Sequence, residues 1–286
     1  MLAGAALHAE ARAASSLVAD VGFLSPGHRI VVKVTLSGKG PFAMLLDTGT
    51  DRSIIDATLA HRLRALSDAT PGPGAGTMPP RGWDMRDLRL GHLRADSVAA
   101  EALDLGRISA RLGMHVDGVL GYSFLVDRIV QIDYGRHRLR FFRGSPSWSG
   151  SESVEEEMTV DPSDPTPRFA ARVNRREVLL LFDSASSHPL TLLGAAIPFL
   201  GLKAAFEAAR PDSAAGDGGR DPRRVGRVPV VEIGPIRLTD APCVFGAESY
   251  GESWDRKTAA GTIGGALLDG LIVTLDYSRG SIRFER

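Results

Sequence analysis

A single cysteine among 286 residues, Cys243, excludes an intramolecular disulfide and any zinc or iron–sulfur centre built on cysteines. The seven histidines are scattered, and no two of them form an HExxH pattern. Charge of one sign is not in excess: 34 Lys and Arg meet 34 Asp and Glu, with a sequence pI near 7.1. That balance argues against a nucleic-acid binder working through a positive field. No stretch approaches the ~18–20 unbroken apolar residues of a membrane helix. The longest apolar run, Val178–Phe182, is the size of a strand. What remains is a metal-poor globular chain, long enough for one large domain or two modest ones at about 100–200 residues each.

The first residues allow two readings. Met1–Leu7 is apolar and small, but no basic residue precedes it and His8, Glu10 and Arg12 follow at once. Ala11-Arg12-Ala13 fits a signal-peptidase cleavage pattern, so residues 1–26 are either a signal remnant or a frayed terminus. The first reading implies export to the periplasm or the medium, the second the cytoplasm.

The chain says most things twice. Asp117-Gly-Val-Leu-Gly121, running on through Ile132-Asp-Tyr134 to Phe141, returns as Gly261-Thr-Ile-Gly264, Leu275-Asp-Tyr277 and Phe284. The offset from Gly121 to Gly264, Asp133 to Asp276, Tyr134 to Tyr277 and Phe141 to Phe284 is 143 throughout. Asp87–Gly91 matches Val230–Gly234 at the same offset. Met44-Leu-Leu-Asp-Thr-Gly-Thr50 matches Leu180-Leu-Phe-Asp-Ser-Ala-Ser186 at 136. A hairpin pattern precedes each Asp, with Ser-Gly-Lys-Gly and Asn-Arg-Arg turns. Two copies of one unit is the simplest account.

These repeats divide the chain into an N-terminal segment 1–26, a first lobe 27–144, a connection 145–168 and a second lobe 169–286. The connection is rich in Ser, Pro and acidic residues and reads as a solvated linker. Within each lobe, short Val/Ile/Leu-rich runs alternate with Gly, Pro and Asp turns, the pattern of strands. Helices are expected at Ala57–Ala65, at Leu193–Leu200 and at Leu202–Ala209. The Gly-rich loops at 71–77 and 214–220 lack the Gly-Lys-Ser/Thr ending of a phosphate loop.

Asp47 ends an apolar run and precedes Thr-Gly-Thr; Asp183 holds the same place in the second copy. If the copies pack about a twofold axis through these turns, the two carboxylates meet. A close pair cannot ionise twice cheaply, so it shares a proton and titrates as a unit. One member then serves as a base toward water while the other donates to a carbonyl oxygen, which is enough for amide hydrolysis.

Leu45-Leu-Asp-Thr-Gly-Thr50, followed about 70 residues later by Gly118-Val-Leu-Gly121, resembles the aspartic peptidases, in particular the bacterial retropepsin-like branch. The duplicated tails IVQIDYGRHRLRF and IVTLDYSRGSIRF are similar to that branch too. The resemblance covers most of the chain, about Arg29–Phe142 and Phe169–Phe284. It implies an all-β fold: two pseudo-twofold-related aspartic-protease-like β-barrel lobes, a central cleft and few short helices. It implies Asp47 and Asp183 as the catalytic pair, with Thr48 and Ser184 bonding across the axis. Gly49 and Ala185 complete the two loops. Thr50 and Ser186 are expected to hydrogen-bond the outer carboxylate oxygens, and Val119–Gly121 and Thr262–Gly264 to back the loops.

Two departures stand out. Ala185 occupies a position where the family has Gly, which adds a methyl beside the site. The flap region, Thr77–Leu90, has Trp83 where pepsins carry a Tyr; Trp83 is either an apolar wall of the substrate cleft or a packed surface aromatic. Asp133 and Asp276 read as turn residues, His188 as either a surface histidine or a pH sensor near the cleft, and Cys243 as a buried small hydrophobe. The expected function is an aspartic endopeptidase acting as a monomer on an extended polypeptide, without cofactor or metal. The rival is a peptide-binding protein that kept the cleft and lost turnover.

Overall fold

A computed structural model of the chain describes residues 15–65, 82–146, 152–161, 164–212, 223–246 and 254–286. The first half runs β1 (Ser16–Gly22), β2 (Ile30–Leu36), β3 (Lys39–Leu46), β4 (Ser53–Asp56) and helix α1 (Ala57–Ala65). It continues with β5 (Trp83–Leu90), β6 (Leu93–Leu103), α2 (Gly106–Leu112), β7 (Gly118–Leu120) and α3 (Tyr122–Leu125). It closes with β8 (Ile129–Asp133) and β9 (Arg138–Arg143). The second half opens on β10 (Ser153–Glu157), β11 (Thr159–Asp161), β12 (Asp164–Val173), β13 (Arg176–Asp183) and β14 (Leu190–Leu192). Then come α4 (Lys203–Ala208), β15 (Arg210–Pro211), β16 (Arg223–Ile233), β17 (Ile236–Gly246), β18 (Ala259–Gly264), β19 (Ile272–Asp276) and β20 (Ser281–Glu285). No helix among the described residues is long and apolar enough to cross a membrane.

The fold is all-β with few short helices. In the first half the strands close into a barrel in the order β2-β3-β7-β4-β6-β5. In the second, β12-β13-β18-β14-β17-β16 follow the same order, and a β12–β16 pairing joins the ends. The alternating Val/Ile/Leu positions of these strands fill the interiors: Val32, Val34, Met44 and Leu46 in one, Val173, Leu180, Phe182 and Ile263 in the other, all buried. Both hairpins that lead to the aspartates turn through left-handed residues, Ser37 and Gly38 in one and Asn174 and Arg175 in the other.

A six-stranded sheet, β1-β9-β8-β19-β20-β10, joins the halves. At its centre β8 and β19 run antiparallel with Gln131 opposite Thr274, and Gln131 Nε2 donates to Thr274 Oγ1 at 3.1 Å. These two residues are themselves separated by the repeat offset of 143, so a twofold axis passes between them.

Three expectations need correction. The 145–168 segment is not simply a solvated connection, since it supplies β10, β11 and the start of β12. Its polar composition reflects an edge position: among the described residues β10 ends the sheet beside β20, with Glu155 and Glu157 exposed. Likewise, residues 16–22 of the N-terminal segment form β1, which covers β9 at the opposite edge. The helix expected at Leu193–Leu200 shrinks to a 3₁₀ turn at Gly194–Ala196, because Gly194 is a poor helix former and Pro198 brings no N–H. Helices α2 and α3 were not expected; α2 ends on Gly113, whose φ of 65° suits a glycine C-cap. The two Gly-rich loops lie outside the described residues.

Asp133 and Asp276 close turns. Asp133 accepts from the Arg136 N–H at 2.9 Å, and Asp276 from Ser278 and Arg279. Cys243 is buried, and burial pushes its thiol far up.

Candidate active site

Asp47 follows the last residue of β3 and Asp183 is the last of β13. Each strand lies parallel to a short segment that backs it: Leu46 pairs with Leu120, and Phe182 with Ile263. The approach is close. A Cβ on Gly121 would collide with the carbonyl oxygen of Arg52, and one on Gly264 with that of His188. Glycine at these two places lets the backing segments touch the aspartate loops.

Across the axis, Thr48 and Ser184 interlock. The Thr48 N–H donates to Ser184 Oγ at 3.1 Å, and the Ser184 N–H to Thr48 Oγ1 at 3.0 Å. Each hydroxyl then donates to the carbonyl that precedes the opposite aspartate: Thr48 Oγ1 to Phe182 at 2.8 Å, Ser184 Oγ to Leu46 at 2.9 Å. Both side chains are almost fully buried, so all four bonds are shielded from water.

That lock brings the carboxyl groups of Asp47 and Asp183 close enough for each to act on the other. Gly49 N–H donates to Asp47 Oδ1 and Ala185 N–H to Asp183 Oδ1, each at 2.8 Å. Burial and the neighbouring Asp183 push Asp47 up to about 7. Burial raises Asp183 as well, against the pull of the Ala185 and Ser186 N–H groups and of the Arg29 guanidinium. The two groups are thus coupled and lose their protons in two steps.

The remaining candidates divide. Gly49 abuts the opposite carboxylate, since a Cβ there would stand 2.9 Å from Asp183 Cγ. The methyl of Ala185 packs onto a small apolar cluster of the first half that includes Val31, Leu45, Val116 and Val119. The hydroxyls of Thr50 and Ser186 do not bond the outer carboxylate oxygens as expected. Thr50 Oγ1 donates to the Arg52 carbonyl at 3.5 Å and Ser186 Oγ to that of His188 at 3.1 Å, so both close their own loops. The Ser186 N–H donates instead to the Asp183 main-chain carbonyl at 3.2 Å, and its nearness pulls the carboxyl down. Trp83 is part-buried against the main core and lines a cavity of about 640 Å³ with Arg52, Asp84, Glu101 and Ser123. Residues 77–81 of the flap region lie outside the described residues.

Sequence reasoning missed three features. Arg29 Nε donates to the Ala185 carbonyl at 2.9 Å, from the other half of the molecule. His188 is not a plain surface residue: it is part-buried, and burial with Arg223 and Arg29 nearby pulls it down. Tyr134 and Tyr277 cross beneath the site. Tyr134 packs on Gly265, just past the second backing segment, and Tyr277 on Tyr122, just past the first, with ring centroids 5.8 Å apart. Their repeat at an offset of 143 was the available signal for the tyrosines; Arg29 had none. Among the described residues no group of three or more His, Cys, Asp or Glu side chains is placed to hold a metal ion.

Two close carboxyls on interlocked loops, at the junction of the two halves, form the candidate site. An aspartyl protease family model matches residues 32–124, the stretch holding Asp47 and Val119–Gly121. The crystal structure of basic 7S globulin from soybean superposes with a TM-score of 0.53 over 95% of each chain. At 13% identity this likeness is one of fold, the two-lobed pepsin-like one. No curated protein sequence matches the chain.

Proposed function

We propose that the protein is an aspartic endopeptidase that hydrolyses an extended polypeptide with a water activated between Asp47 and Asp183. The observation that carries this reading is the buried Thr48–Ser184 lock, which holds the two aspartate loops, and with them the two carboxyls, side by side. The ionised member takes a proton from water as its oxygen adds to the amide carbon. The protonated member gives its proton to the carbonyl oxygen, forming a neutral gem-diol. Collapse of that diol passes a proton to the amide nitrogen, breaks the C–N bond and returns the pair to its singly protonated state. An extended substrate would pair its backbone along the cleft and set alternate side chains into pockets.

The segments 27–144 and 169–286 are read here as two copies of one retropepsin-like unit, so one chain carries both aspartates and a monomer suffices. A mixed-peptide digest followed by mass spectrometry from about pH 3 to 8 tests the proposal. Asp47→Asn and Asp183→Asn should each lower cleavage by about 10³-fold or more. Absence of cleavage by the folded wild type at every pH overturns it. The second reading, a peptide-binding protein without turnover, draws on Ala185 in place of Gly, and it requires peptides to be retained uncut in the same experiment.

A further inference from the structure

The two aspartate loops are alike in sequence and bonding, yet their surroundings are not. Arg29 stands one residue before β2, in a loop its own half pinches shut: Leu24 and Val31 exchange backbone hydrogen bonds at 2.9 Å each. Inside the loop Gly27 and His28 adopt left-handed φ values of 57° and 62°, and the Arg29 N–H returns to Pro26 at 3.2 Å. The loop presses on the second half, where a Cβ at Gly265 would stand 2.7 Å from the His28 carbonyl. From this fixed base Arg29 Nε donates to Ala185 O, while the N–H of the same Ala185 donates to Asp183.

The equivalent position of the second copy holds no cation. Ladder register places residue 29 opposite Asp47, because Ile30 faces Leu46. The same count in the second half, from Arg168 facing Leu181, places Thr166 opposite Asp183. Thr166 is neutral, and its hydroxyl donates to Asp164 at 2.9 Å. Of these two equivalent positions only one carries a positive charge, and it acts on the aspartate of the other half.

We propose that Arg29 is a cross-lobe positioning residue that breaks the symmetry of the pair, leaving the negative charge on Asp183 and the proton on Asp47. The inference rests on the reading of these aspartates as a catalytic pair, and it assigns their roles: Asp183 is the base toward water and Asp47 the acid toward the carbonyl oxygen. Coulombic attraction between the guanidinium and Asp183 supports it in direction. The other groups acting on Asp183 are Asp47 and Tyr134. Arg29 is itself faced by Arg111 of α2, and His188 by Arg29, Arg223 and Asp212.

The test compares wild type with Arg29→Gln, which keeps a donor and removes the charge, and Arg29→Lys, which keeps the charge. Carboxylate ¹³C NMR, assigned through Asp47→Asn and Asp183→Asn, follows the titration without requiring turnover. Peptide cleavage is followed over the same pH range. In Arg29→Gln the lower titration should rise by on the order of 1 unit, with kcat/KM on the acid limb falling about tenfold; Arg29→Lys should stay near wild type. If Arg29→Gln does not fold, Arg29→Cys coupled to a cationic or a neutral thiol reagent repeats the comparison, since Cys243 is buried. Only the cationic adduct should restore the wild-type titration. An NMR titration unchanged by loss of the charge overturns the inference, even in a protein that cleaves peptides. A shifted titration in a wild type without cleavage upholds it and removes the peptidase reading alone.

Discussion

Thr48 and Ser184, 136 residues apart, exchange backbone-to-hydroxyl hydrogen bonds of 3.1 and 3.0 Å across the axis of the molecule. Each hydroxyl accepts from one half and donates to it as well, so neither loop can shift without breaking bonds at the other. The position of both carboxyls depends on this exchange.

Ser184→Ala removes an acceptor and a donor from a buried network, leaving the Thr48 N–H and the Leu46 carbonyl without them. It should cost about 1–3 kcal/mol in urea unfolding. Thr48→Val should cost a similar amount, and the double variant less than the sum, because both break the same exchange.

Asp47 is pushed up to about 7 in the folded chain, above the ordinary carboxylate value of 3.8. The unfolded chain therefore binds fewer protons between these values, and the part of the stability that Asp47 contributes falls as pH rises through that window. The full contribution, present below about pH 4, is on the order of 4 kcal/mol for a shift of this size. Urea midpoints between pH 4 and 8 should decline for the wild type and flatten for Asp47→Asn. A pH dependence that is the same in the wild type and in Asp47→Asn contradicts the raised Asp47.

Gly49 and Ala185, at equivalent places in the two loops, are not interchangeable. Gly49→Ala would set a methyl 2.9 Å from Asp183 Cγ and displace the carboxylate, so kcat/KM should drop about 10²-fold. Ala185→Gly loses a methyl from the apolar cluster around Val31 and Val119, costing about 1 kcal/mol by thermal melting, with cleavage retained.

Tyr134 and Tyr277 carry buried hydroxyls with no hydrogen-bond partner among the described residues. Tyr134→Phe and Tyr277→Phe keep the ring packing and remove an unsatisfied group. Each should leave stability unchanged or raise it by up to about 1 kcal/mol in urea unfolding.

The fold class and the paired aspartates were legible because both rest on short-range signals stated twice. Strands show in alternation and the loops in the Asp-Thr-Gly-Thr and Asp-Ser-Ala-Ser runs. The polar strand β10 was not legible, since an edge strand that faces water has the composition of a linker. Arg29 lies 156 residues from the carbonyl it binds, and nothing in its neighbourhood marks it among the other arginines. The hydroxyls of Thr50 and Ser186 match the right residue type, yet their direction depends on carbonyls that only folding brings near.

The central ladder bears on what either half would do alone. With β19 removed, β8 becomes a bare edge whose open N–H and C=O groups lie where Thr274 and its neighbours had paired. A second copy of the same half satisfies that edge by placing Gln131 against Gln131, side-chain amide to side-chain amide, with Asp47 brought toward its own duplicate. An isolated first half is thus expected to self-associate through this seam, and the covalent joining of the halves is what keeps the edge from being shared between molecules.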